Sequence, residues 1–116
     1  MMGDTNAQTT GRKPAWNCVE IGPNVYQCRG YASIETGAFA LNSATITLPV
    51  ADVNNGTGLF PVVTWLNLDS GWASAYLTVQ PSSRTATTFK VWSWGIDSSM
   101  TTMSRDFSWM CIVKTA

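Results

Sequence analysis

The stretch TFKVWSW (residues 88–94) alternates residue by residue: Phe89, Val91 and Ser93 fall on one face of an extended chain, and Lys90, Trp92 and Trp94 on the other. Aromatic and β-branched residues dominate it, which suits a pleated surface and gives no helical stripe. The pattern continues outward in both directions. Residues 106–114 (DFSWMCIVK) set Phe107, Trp109, Cys111 and Val113 against Met110 and Ile112. Residues 72–80 (WASAYLTVQ) set Ala75, Leu77 and Val79 against Tyr76, Thr78 and Gln80, and follow a strand at 60–69 (FPVVTWLNLD) across a Ser70-Gly71 turn. Residues 44–49 (ATITLP) form a strand ended by Pro49. Nearer the start, 16–21 and 25–34 flank Gly22-Pro23-Asn24, a three-residue hairpin loop. Within 25–34, Tyr26, Cys28, Ala32 and Ile34 oppose Gln27, Arg29, Tyr31 and Ser33.

No segment sustains an i, i+3, i+4 apolar stripe, so no helix is expected. The spacing predicts an all-β fold: a small antiparallel β-sandwich of about six to seven strands with an extended N-terminal arm. Residues 1–15 read as the arm, polar with Gly3, Gly11 and Pro14, and residues 16–116 as the sandwich domain. The expected interior collects Ile34, Ile46, Leu48, Val62, Leu66, Leu77, Val79, Phe89, Val91, Phe107 and Trp109.

Composition narrows the function classes. The 116 residues are 45% hydrophobic and 12% charged, with seven acidic and seven basic residues cancelling. No basic stripe exists to neutralise phosphates, so nucleic acid is not the expected partner. Nor is membrane insertion expected, since no apolar run approaches about 18 residues. The N-terminus MMGDTNAQTTGRKPAW lacks the apolar segment of a secretory signal, so synthesis in the host cytoplasm is expected, and any passage to the exterior by another route. Histidine is absent, which removes the commonest general base and transition-metal ligand together. Ser and Thr are plentiful, but none has an obvious activating partner. An enzyme is therefore not expected, and no cofactor is implied.

Cys18 and Cys28 lie symmetrically about Pro23, so a simple hairpin register sets them face to face, near the spacing of a disulfide. Reduced thiols are the default for a cytoplasmic chain, so a Cys18–Cys28 bridge and a free pair both stay open. Cys111 is left over on a core face, and zinc would need a fourth ligand that the chain lacks. Asp69, Asp97 and Asp106 stand at loop or strand ends, where turn-capping is the ordinary role of aspartate. The loops DVNNGTG and GIDSS lack the acidic density of a calcium loop.

The unusual feature is aromatic: six Trp, four Phe and three Tyr. At ~150–250 Å² each, they are hard to hide inside one small sandwich. Both faces of 88–94 and 106–114 are apolar. Burial of the second face in an oligomer interface through Trp92, Trp94, Met110 and Ile112 is one account; a sugar-stacking platform is the other. Asp69, Trp72, Asp97 and Arg105, on loops flanking the aromatic strands, combine stacking surface with charged hydrogen-bonding groups and are the candidate ligand contacts.

The fragments VYQCRGYASI (25–34), ATITLP (44–49), TFKVWSW (88–94) and FSWMCI (107–112), in that order, resemble the receptor-binding tip domains at the C-termini of bacteriophage tail fibres and, more distantly, the H-type lectins. The resemblance spans residues 16–114. It implies a homotrimer with a glycan- or receptor-binding surface on loops at its far end. In place of a fibre shaft this chain has only residues 1–15, which implies a stand-alone virion component of the fibre-tip or decoration type. That arm would attach it to other virion structural proteins. A free soluble lectin, and a capsid or tail assembly protein without ligand, are the competing readings.

Overall fold

The structure, a computed structural model, describes residues 15–66 and 75–116. Residues 1–14 of the expected arm, Asp69 and Trp72 lie outside the described residues, and Ala15 opens the first strand. Seven strands form: β1 (Ala15–Gly22), β2 (Val25–Thr36), β3 (Leu41–Thr47), β4 (Val62–Trp65), β5 (Ala75–Val79), β6 (Thr88–Gly95) and β7 (Met103–Lys114). They build two antiparallel sheets, ordered β1-β2-β7-β4 and β3-β6-β5, which is the small β-sandwich that the alternation predicts. The sole helical element among the described residues is a three-residue 3₁₀ turn at Pro81–Ser83. Among them no helix is long and apolar enough to cross a membrane.

The β2–β7 ladder is the spine, paired from Val25↔Lys114 to Thr36↔Met103. Its inward face carries Cys28, Ala32, Ile34, Phe107, Trp109, Cys111 and Val113, all buried. The facing sheet contributes Ala44, Ile46, Phe89 and Val91. Across the sandwich Phe89 meets Trp109 edge to face, with centroids 5.8 Å apart. Leu48 and Leu59, from the chain between β3 and β4, close one end of this core. At the other end the seam turns polar: Ser93 donates to the Glu35 carbonyl at 2.8 Å, and buried Arg105 bonds the Thr36 hydroxyl.

Two expectations are corrected. Val62 and Leu66 do not enter the core; both are about half exposed, while Val63 and Trp65 pack inward. The segment FPVVTWLN offers apolar residues in both phases, so alternation alone is ambiguous there. Pairing decides it: Val63 lies opposite Trp109, and Trp65 opposite Phe107. The Trp65 indole N–H also donates to the Ala75 carbonyl at 3.2 Å, tying β4 to the strand of the other sheet. The first hairpin loop is shorter than expected. Gly22 pairs with Val25, leaving Pro23-Asn24 as the turn with Asn24 at φ 60°, and the register shifts between Glu20 and Gly22 to absorb the extra residue.

The 51–58 loop is built on Asp52. Its buried carboxylate accepts the N–H groups of Gly56 at 2.8 Å and Gly58 at 3.0 Å. Gly56 sits at φ 100°, and a Cβ there would lie 2.6 Å from the Thr85 carbonyl oxygen. Strain and clash act together, so Gly56→Ala is expected to destabilise the domain by about 1–3 kcal/mol. A urea midpoint unchanged from wild type would contradict this reading of the loop.

Candidate functional site

The outer face of β3-β6-β5 concentrates chemistry that the core does not use. Register builds it in rows. Leu41 pairs with Trp94, and Trp94 with Tyr76; Ser43 pairs with Trp92, and Trp92 with Thr78. The residues alternate with the buried Ala44, Val91 and Ser93, so all of these side chains project away from the core. Tyr76 and Leu41 are each 60% exposed and Trp94 37%. A groove of about 350 Å³ runs beside Trp92, lined by Leu41, Thr78, Val79, Gln80 and Pro81. The Trp92 indole N–H is shielded from solvent and has no hydrogen-bond partner. Lys90 holds its ammonium 5.8 Å from the Trp92 ring. It is the one charged side chain among the described residues of these rows.

An apolar trough with aromatic walls and a few polar groups at its edge can stack a flat, ring-shaped ligand and hydrogen-bond its rim. The Trp92 N–H is closed to solvent, so the residue offers the groove its ring and not its donor. The face offers binding chemistry.

Of the sequence-based ligand contacts, Asp97 and Arg105 are among the described residues, and neither lies on this face. Asp97 lies in the turn after β6, where its carboxylate accepts the Ser99 N–H at 2.9 Å and the Ser99 hydroxyl at 2.8 Å. Arg105 is 4% exposed, and its guanidinium is directed to the Thr36 hydroxyl and the Thr101 carbonyl of its own chain. Its neighbour Asp106 accepts from the Ser33 hydroxyl at 2.6 Å. The four expected interface residues divide between two surfaces. Trp92 and Trp94 stand on the outer face of β3-β6-β5, whereas Met110 and Ile112 stand on the outer face of β1-β2-β7-β4, on the far side of the sandwich.

Four contributors to the platform were not singled out from sequence: Leu41, Tyr76, Thr78 and Gln80. Alternation does place Tyr76, Thr78 and Gln80 on one face. What it does not contain is that β5 lies beside β6, and in which register.

No protein-family model, no curated protein and no solved structure matches the chain.

Proposed function

We propose that this domain is a binding module of the kind that tips or decorates a bacteriophage virion, and that the outer face of β3-β6-β5 takes a host-surface glycan. The observation that carries this reading is the groove beside Trp92, with the exposed rings of Trp94 and Tyr76 alongside. A sugar ring presents an apolar C–H face to an indole and hydroxyl groups at its rim, which Thr78 and Gln80 border here. The virion setting rests on the tail-fibre resemblance of residues 16–114. Residues 1–15 are assigned to docking on another virion protein. A glycan array probed with the wild-type protein and with Trp92→Ala tests the reading: specific wild-type signals should fade in the variant. Equal patterns from both proteins, or no signal from either, would contradict it.

Self-assembly is a second role, favoured by a separate observation. The outer face of β1-β2-β7-β4 exposes Val19, Ile21, Val62, Met110 and Ile112, with Val62 and Ile21 more than half exposed. Ladder pairing sets Val62 beside Met110, and Gln27 between Val19 and Ile112. A gathering of exposed apolar side chains on one sheet face is the kind of surface that interfaces use. Light scattering should give a trimer for the full chain and for a chain lacking residues 1–15, and a lower mass for Met110→Lys. A monomer from both unmutated chains would remove the assembly role.

A further inference from the structure

The three cysteines of this chain form one row across three adjacent strands. Cys18 of β1 pairs with Cys28 of β2, and Cys28 in turn pairs with Cys111 of β7. All three are at most 1% exposed and belong to the same inward face. Cys18 and Cys28 are joined as a disulfide, and Cys111 is a free thiol.

Ladder geometry makes the middle cysteine reachable from both sides. The Cα atoms of Cys18 and Cys28 are 4.0 Å apart, the close spacing of a pair that does not exchange backbone hydrogen bonds. The backbone N–H and C=O of Cys28 therefore face β7. Cys28 and Cys111 then form the hydrogen-bonded kind of pair, with Cα atoms about 5.5 Å apart, inside the ~4.4–6.8 Å span that disulfides accept. The Cα spacing thus admits a second disulfide that shares Cys28, formed once the wider-set Cβ atoms of Cys28 and Cys111 draw together.

We propose that Cys28 is the pivot of an internal thiol–disulfide exchange that moves the staple from β1–β2 to β2–β7. The Cys111 thiolate attacks the Cys28 sulfur, a Cys28–Cys111 bond forms, and the Cys18–Cys28 bond breaks. Its electron pair leaves on the Cys18 sulfur, which takes up the proton that Cys111 gave up. Nothing is oxidised or reduced overall, so no outside reagent is needed. The consequence falls on β1. It is an edge strand whose ladder partner is β2, so moving the staple leaves β1 held by backbone hydrogen bonds and packing alone. The exchange acts as a latch on the strand that leads into the N-terminal segment.

Burial pushes the Cys111 thiol up to about 11, with the nearby Asp52 carboxylate adding to the effect and the Phe60 backbone N–H opposing it. The closed sheet therefore holds little thiolate, and exchange proceeds when the sheet opens around Cys111.

The wild-type protein, oxidised and incubated without added thiol or oxidant, is quenched in acid at intervals, unfolded and labelled with a maleimide. Peptide mapping is expected to find the label first on Cys111 and then increasingly on Cys18, until the ratio is constant. Label confined to Cys111 at all times, or appearing on Cys28, would overturn the proposal. Cys18→Ser supplies a second arm. Oxidised in a glutathione buffer, it is expected to lose both remaining thiols to a Cys28–Cys111 bridge, with faster hydrogen exchange in β1 than wild type. Two persistent free thiols in the folded variant would also overturn it.

Discussion

Replacing Phe89 with alanine is expected to remove about 3–5 kcal/mol of stability, measured by urea unfolding. Phe89 is fully buried on β6, the central strand of its sheet, and meets Trp109 of the other sheet edge to face. It therefore belongs to both halves of the core at once. Truncation removes the ring's transfer free energy and leaves a cavity whose walls, Ile46 on the paired strand and Trp109 opposite, are fixed by their ladders. Small domains have about 5–15 kcal/mol in total, so the variant should be close to unfolding at physiological temperature. Phe60 provides the control. It is 74% exposed and carries the Arg84 guanidinium 5.5 Å above its ring, so Phe60→Ala should cost under about 1 kcal/mol. A loss under 1 kcal/mol at Phe89 would mean that the two sheets do not share this core.

The second large effect concerns binding. For whichever glycan the wild-type protein selects, Trp92→Ala is expected to weaken affinity about thirtyfold, or about 2 kcal/mol, the scale of a central aromatic anchor. Trp92 supplies the aromatic wall of the groove, so alanine removes the stacking surface. Trp92→Phe grades the effect, since it keeps a ring but a smaller one. An intermediate affinity for phenylalanine is expected. Stability should be measured alongside, because Trp92 is half-buried and pairs with Ser43 and Thr78. Weakened binding with an unchanged unfolding midpoint isolates the site from the fold. Isothermal titration giving equal affinities for all three proteins would remove Trp92 from the site.

The fold was legible because β-strands write their faces into alternate positions. The split of 88–94 into Phe89 and Val91 against Trp92 and Trp94 is the split between core and outer surface in the structure. The Cys18–Cys28 pairing agrees with symmetry about Pro23 because the bulge between Glu20 and Gly22, which lies between the turn and the pair, offsets the shorter turn. Residues 60–66 were not legible, since apolar side chains occupy both phases and only pairing to Trp109 and Phe107 chooses between them. The candidate site was half legible. Trp92 and Trp94 announce themselves by type and spacing, but their neighbours Leu41 and Tyr76 arrive from strands far along the chain. Non-local register is absent from local pattern. Among the charged loop residues, Asp97 serves its turn through Ser99, the ordinary role of an aspartate at such a position.

The most direct test of the central claim, that the outer face of β3-β6-β5 is the binding surface, is a titration of the ¹⁵N-labelled protein with a selected glycan, following the indole N–H resonances. Trp92 and Trp94 are expected to shift and saturate together, while Trp109, buried on the far sheet, stays in place. Saturable binding that leaves Trp92 and Trp94 unmoved and shifts instead the amides around Asp97 and Arg105 would contradict the account.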